Sequence, residues 1–454
     1  MRFLKLLLPL LGSTLCFAAQ ADRIAGNVES SQMVPLVGQT NHKVKPQYDQ
    51  GRVPATMQMN QLTLLTLPTP SQQEALRALV AEQQDPKSAN FRKWITPEQW
   101  ADRFGLSQND VQKITAWLKS QGLSVQNVAR GRNWITFSGT AAQVESAFHT
   151  EIHHYKVDGE THYANATAPS IPAALAGIAT GVRGLDDFLP KSAGLKRNAK
   201  ARSARPDYWD SSFQTDFVAP GDIEVIYDLT PLYSAGINGA GQKLAIIGQT
   251  DVYLADLNDF RSGFGLPAIS GCTTGSTGLI TSCTTSSTAN FQYVVVGTDL
   301  NSPSTCGDLT EADLDLEWSA AIAPGAQIIY VNDPVTFTSD CTQIVTGGGV
   351  FKAFYYAIDN NVAPVISMSY GAPCEFAENP LPNDEIILAG DTFTIRKRTF
   401  RYFPGEMVEI TLALVYYGST EPVDDEDWSD DLPDRIAYLR SIREANKKQE
   451  EEQS

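Results

Sequence analysis

Glu311 and Asp315 stand four residues apart in the run from Thr310 to Ala326, which reads as a helix. On a helix that spacing sends both carboxylates from one face. Two carboxyls held so close do not both ionise easily, and unequal sharing of protons is how acid and base roles are divided. No histidine occurs after His162, so a Ser-His-Asp or Cys-His site is excluded from the second half of the chain. The same run admits a plainer reading. Asp308, Glu311, Asp313, Asp315 and Glu317 crowd one helix start, where acids favour the dipole and mostly face water.

The elements around this pair have a consistent pattern. Residues 243–249, 291–297, 327–331 and 363–369 read as apolar strands, with helices over 254–264 and 349–360 between them. Apolar strands alternating with helices predict a parallel sheet covered on both faces, with active groups near strand ends and helix N-termini. Residues 22–190 read differently. A strand at 64–67, helices at 71–83, 108–121 and 141–148 and a strand at 133–138 predict an α+β sandwich. Thr96, Pro97 and Gln99 form a capping-box signature, and Gly122 stops the helix before it.

Between these parts lies a basic run. Lys191, Lys196, Arg197, Lys200, Arg202 and Arg205 occur with no acidic residue from 191 to 206, which predicts an unfolded processing linker over 191–215. With 454 residues, 42% apolar content and a net charge of −17, the chain has room for two or three domains and is not a nucleic-acid binder. Arg2 and Lys5, the short apolar run 6–15 and Ala19-Gln20-Ala21 read as a secretory signal over 1–21. No stretch is long enough to span a bilayer, so the expected location is secreted, with no membrane partner. Five cysteines then remain. Cys272 with Cys283, and Cys306 with Cys341, are the expected bridges, leaving Cys374 as the odd thiol. No metal-ligand pattern appears.

The helix with Glu311 resembles that of the sedolisins, the serine-carboxyl peptidases. Their Glu-x-x-Leu-Asp ahead of Ala-Pro-Gly-Ala is matched by Glu311, Leu314, Asp315 and Ala323-Pro324-Gly325-Ala326. Ala219-Pro220-x-Asp222, Ile226-Tyr227-Asp228-Leu229 and Val365-Ile366-Ser367-Met368-Ser369-Tyr370-Gly371 extend the likeness. The N-terminal part resembles the pro-kumamolisin activation domain, through Asp85-Pro86-x-Ser88, Phe104-Gly105-Leu106, Ser138-Gly139-Thr140 and Gly184-Leu185 among others. The resemblance covers residues 45–377.

It implies a fold of an α+β propeptide domain (22–190) followed by an α/β subtilisin-like parallel-sheet domain (216–377, incomplete). It also implies Glu311 as the base that deprotonates a serine, Asp315 as the carboxylate that orients it, and Ser369, Tyr370 and Gly371 bordering the substrate cleft. Polypeptide substrates and the chain's own propeptide as inhibitor are the implied partners. The family's Ala-Ser-Gly-Asp-Ser-Gly and Gly-Thr-Ser segments are not found after Cys374, and its calcium site belongs to that same missing part, so no cofactor is identified. Leu388-Ala389-Gly390-Asp391-Thr392 offers Asp391 as a partial match to the oxyanion segment. Gly418-Ser419-Thr420 has the right residues in the wrong order. Residues 378–454, acidic and unlike any peptidase, are expected to be a separate small segment of a truncated or chimeric product. The expectation is a secreted acid-acting endopeptidase by type, inactive as these residues stand. A non-catalytic remnant or inhibitory binder, and a carboxylate-pair glycosidase, are the alternatives.

Overall fold

The structure is a computed structural model that describes residues 20–371, apart from 42, 158, 189–190, 193–207, 211–214, 287, 305 and 339–343. It adds the backbone alone of 385–388, 391–401 and 409–416. Within the first range, 191–192, 208–210, 215–217, 344–346 and 371 are likewise described by backbone only. Residues 1–19 of the expected signal, Cys341, Cys374 and Gly418-Ser419-Thr420 lie outside the described residues. The chain divides into two compact units, Met1–Cys374 and Glu375–Ser454.

The N-terminal part of the first unit contains β1 (Asp49–Arg52), β2 (Gln58–Thr66), α1 (Pro70–Gln84), α2 (Pro97–Phe104), α3 (Gln108–Ser120), β3 (Ser124–Val128), β4 (Trp134–Thr140), α4 (Ala141–Phe148), β5 (Ile152–Val157), β6 (Glu160–Asn165) and β7 (Ala179–Arg183). Three of the helices start with the same local chemistry. Thr69, Thr96 and Thr140 each accept from the backbone N–H of a glutamine three residues on. The glutamine side chain answers the threonine N–H, so two orphan donors are satisfied at each start. Gly122 takes φ +80 just past α3, the left-handed turn that ends a helix at little cost for glycine.

Two antiparallel sheets follow from the long-range pairing. One has the order β3-β4-β2-β7 and the other β1-β5-β6. In the first, Leu64 sits between Ile135 and Val182, and its inner face meets Ile114, Leu118, Val144 and Phe148 in one buried core. The expected α+β character is present, with more strand than the sequence reading found.

The second half contains α5 (Pro220–Ile226), α6 (Thr230–Ser234), β8 (Lys243–Gly248), α7 (Leu254–Gly263), β9 (Phe291–Val295), α8 (Asp308–Ile322), β10 (Gln327–Asn332), α9 (Gly349–Asp359) and β11 (Val365–Ser367). The four strands form a parallel sheet in the order β9-β10-β8-β11. Alternation along β8 and β10 covers both faces. Ile246, Ile328 and Tyr330 meet Ala312, Leu316 and Ala320 of α8, whereas Ala245, Ile247, Ile329 and Val331 meet Val350, Ala353 and Ala357 of α9. Strands buried on both sides are why the sequence reads as unbroken apolar runs.

The expected Cys272–Cys283 bridge is formed across a short hairpin, and Cys306 is also disulfide-bonded. The linker expectation needs correction at its ends. Lys191–Ser192 pairs antiparallel with Tyr370–Gly371, and Tyr208–Asp210 pairs with Thr215–Phe217. At Lys191–Ser192 the backbone donors and acceptors are satisfied by that strand pairing.

The two parts of this unit touch along α9. The Arg183 guanidinium lies 3.3 Å from the Phe351 ring centroid, and Trp134 stacks on Tyr355 with centroids 4.9 Å apart. Arg130 donates its backbone N–H to Asp359 Oδ1 at 2.5 Å. In the unit Glu375–Ser454 the described backbone forms β12 (Glu385–Leu388), β13 (Asp391–Arg401) and β14 (Glu409–Tyr416), an antiparallel sheet in that order.

Candidate functional site

The carboxylate pair is set by the start of α8. Gly307 precedes it at φ +93, and the helix then points Asp308, Glu311 and Asp315 along one side. Asp308 and Glu311 are buried, at 3% and 7% exposure, and Asp315 is half-buried. The solvated helix face, open on spacing alone, is therefore not what this side of α8 presents.

Ser369 closes the arrangement, since its hydroxyl donates to Asp315 Oδ1 at 2.8 Å. Burial raises the Asp315 carboxyl above its ordinary range, and the Ser369 hydrogen bond works against that rise. Tyr370 is buried at 4% exposure and packs with Ile247, Val331 and Val350. Its phenol is driven far above its usual range, first by burial and then by the Asp308, Glu311 and Asp315 carboxylates. One tyrosine thus feels all three acids. The backbone of Tyr370–Gly371 carries the paired Lys191–Ser192 segment.

A second layer holds this one in place. Gln249, directly after β8, donates to Asp308 Oδ1 at 3.0 Å and accepts from the Val350 N–H at 3.2 Å. It thereby ties the first turns of α8 and α9 to the carboxyl end of the central strand. Asp308 Oδ2 accepts from Ser304 at 2.7 Å, and burial still raises that carboxyl. Asp251 is fully buried and accepts from Tyr293, Asn332 and the Ser302 N–H at 2.7, 3.1 and 3.0 Å. Sequence reasoning missed Gln249, Asp251 and Asn332. The signal was there: Gln249-Thr250-Asp251 and Asn332-Asp333 are polar runs directly after apolar strands, where open parallel sheets place their ligands.

Asp313 and Glu317 leave α8 on another side. Burial pushes both up to about 7, with Asp256 adding repulsion. Asp391 is the first residue of β13 and pairs with Leu388, in the second unit. A cleft of 430 Å³ opens elsewhere, between Gln61 and Gln126 of the N-terminal domain and Asp333, Gly348 and Lys352; it includes neither Glu311 nor Asp315. Among the described residues no group of His, Cys, Asp and Glu is arranged to hold a metal ion, and no helix is long and apolar enough to cross a membrane.

Residues 47–188 match the family described as Pro-kumamolisin, activation domain. The chain is 27% identical over 301 residues to xanthomonalisin of Xanthomonas sp. (strain T-22), covering 66% of this chain and 34% of that protein. It is 26% identical over 336 residues to sedolisin of Pseudomonas sp. (strain 101), covering 70% and 51%. Kumamolisin of Bacillus sp. (strain MN-32) is 22% identical over 363 residues, covering 76% and 56%. The chain spans between about a third and just over half of the length of these curated relatives.

Proposed function

Taking this chain as a relative of the sedolisins that carries a Pro-kumamolisin activation domain, we propose that it holds the acid–base half of a secreted serine-carboxyl endopeptidase site. Glu311 is the base and Asp315 its partner. The observation that supports this best is one side of α8. Glu311 is buried there, Asp315 accepts from Ser369, and the next two residues, Tyr370–Gly371, pair with a segment of the linker. In this reading the linker backbone lies along the cleft border as a peptide substrate would, and the domain before it acts as the built-in inhibitor.

Chemically, a serine hydroxyl attacks only with a base in hydrogen-bond reach. A carboxyl raised by burial can serve as that base in mildly acid conditions. Ser369 already donates to Asp315 and stands just after β11, so we assign it to positioning the pair. No serine in these residues stands in the family's Gly-Thr-Ser setting, and we propose that they do not cleave peptide bonds by themselves.

The test joins residues 22–371 to the C-terminal half of sedolisin. At about pH 4, where unperturbed carboxyls are half ionised, the fusion is expected to digest a denatured protein. It should lose at least about a hundredfold of that rate on Glu311→Gln, the scale at which a positioned base contributes. A folded fusion without such activity overturns the assignment of Glu311. Residues 22–454 alone are expected to leave the same substrate intact; self-cleavage within 193–207 that Glu311→Gln abolishes would show a complete site. The second reading, a non-catalytic inhibitory binder, is favoured by the activation domain being the matched family segment. It predicts inhibition of sedolisin by the chain that Glu311→Gln leaves unchanged.

A further inference from the structure

The small sheet of the N-terminal domain carries a histidine that the peptidase reading leaves unused. His162 on β6 is buried, with 7% of its side chain exposed, and both ring nitrogens face carboxylate oxygens. Nδ1 lies 3.2 Å from Asp187 Oδ1, and Nε2 lies 3.3 Å from Glu160 Oε2. A neutral imidazole has one N–H, so it can donate to one of these and must turn a lone pair toward the other. Only the imidazolium donates to both. His153 on β5 repeats the pattern, with Nδ1 2.9 Å from Asp49 Oδ2 and Nε2 3.3 Å from Glu151 Oε2.

His162 is placed where the domain ends. Its ring packs on Phe188 with centroids 4.3 Å apart, and Asp187 also accepts the Tyr163 backbone N–H at 2.9 Å. The segment 183–188 is therefore pinned to β6 by a charge pair, a backbone bond and a ring contact. At its start Arg183 lies on Phe351 of α9. Three residues past its end, Lys191–Ser192 pairs with Tyr370–Gly371 beside the carboxylate pair. This one segment docks the domain on α9 and feeds the chain to the cleft strand.

We propose that His162 is an acid-set latch on the exit of the N-terminal domain: as imidazolium between Glu160 and Asp187 it fastens residues 183–188 to the sheet, and loss of the proton frees them. The latch rests on the activation-domain reading and adds its regulation. The groups facing it are Glu160 on its own strand, Tyr155 paired across the sheet and Asp187 on the exit, with Asp186 next to Asp187 in the chain and Lys43 over the Phe188 ring. Burial works against the charged ring, and the Asp187 and Glu160 partners outweigh it, so the His162 proton is held above its ordinary value. A raised histidine contributes stability in full below its unfolded value of about 6.5 and loses it as pH rises through the folded value. Asp186, pushed up to about 6 chiefly by burial, works in the same direction, because ionising it in the folded state is costly. The domain is thus clamped most firmly in the acid range where carboxylate catalysis would run. Its release there must come from cutting the chain, not from acid melting of the domain.

The test is hydrogen exchange in the full chain carrying Glu311→Gln, so that self-cleavage cannot intervene. Peptides within 159–188 are compared at about pH 5.5 and about pH 8, on either side of the histidine range, after correction for intrinsic rates. Protection there is expected to be lost at the higher pH, in the direction set by the raised His162, while peptides of α3 do not change. His162→Gln, which cannot take the second proton, should show the lower protection at both values. Equal protection at both values in the parent, or an unchanged pH response in His162→Gln, overturns the latch. If His162→Gln does not fold, ring NMR of the parent decides: a His162 midpoint above about 6.5 supports the latch, and one at or below that value overturns it. None of these readouts requires turnover, so the latch and the assignment of Glu311 can fail separately.

Discussion

The Ser369 hydroxyl and Asp315 Oδ1 are 2.8 Å apart and come from positions 54 residues apart in the chain. That bond joins the segment just after β11 to α8.

A hydrogen bond to the charged form of a carboxyl lowers its pKa. Ser369 supplies one, and burial of Asp315 pulls the other way. Ser369→Ala is therefore expected to raise the Asp315 titration further, whereas Ser369→Thr keeps the hydroxyl and the parent value. Carbon-13 NMR of the aspartate carboxyls reads both. An unchanged midpoint in Ser369→Ala would mean that the bond does not hold Asp315 in solution.

Asp313 and Glu317 make a second pH prediction, on stability. Both keep their protons up to about 7 in the folded chain, although unfolded carboxyls release theirs near 4. Between about pH 4 and about pH 7 these two groups hold more protons in the folded state, so their contribution to stability falls as pH rises through that window. It then levels off. Thermal unfolding across this range should show the decline, and Asp313→Asn with Glu317→Gln should flatten it. A rise of stability from pH 4 to pH 7 in the parent that the double variant preserves would contradict the assignment.

Much of this architecture is legible in the sequence where the signal is local. Thr96 and Gln99 mark a helix start, and Thr69 with Gln72 and Thr140 with Gln143 carry the same signature. The parallel strands are legible because burial on both faces leaves them uniformly apolar. The small sheet is not. Its strands β5 and β6 read His-His-Tyr-Lys and Thr-His-Tyr, polar residues whose partners, Asp49 and Asp187, lie far off in sequence. The pair Glu311 and Asp315 is readable from helical spacing. That Ser369 would meet Asp315, or that Gln249 would join two helix starts, depends on the order in which strands assemble, and spacing carries no trace of it.

Gln249 gives the third prediction. It is buried at 3% exposure and serves both Asp308 and the Val350 N–H. Gln249→Ala leaves a buried carboxyl short of a donor and a buried N–H short of an acceptor. Each such loss costs about 1–3 kcal/mol, so unfolding in denaturant should report a loss of at least about 1 kcal/mol. The Asp308 carboxyl should also rise, because the glutamine bond holds it down. A variant as stable as the parent would show that Gln249 is a passive neighbour.

Arg183 gives the last. Its guanidinium is stacked on Phe351 at 3.3 Å and lies 6.0 Å from the Tyr355 ring centroid, and burial lowers its pKa against the pull of Tyr355. A desolvated cation over an aromatic face is worth about 2 kcal/mol, which is about thirtyfold in affinity. Trp134 on Tyr355 and Arg130 on Asp359 contribute beside it, but neither covers the Phe351 face that Arg183 occupies. If the chain is cut within 193–207 by an added protease, the two pieces should stay together on size exclusion at neutral pH. Arg183→Ala should weaken that association by about thirtyfold, and Arg183→Lys should restore only part of it, since an ammonium lacks the planar face that stacks. Pieces that remain together equally well without Arg183 would place the docking energy elsewhere on α9.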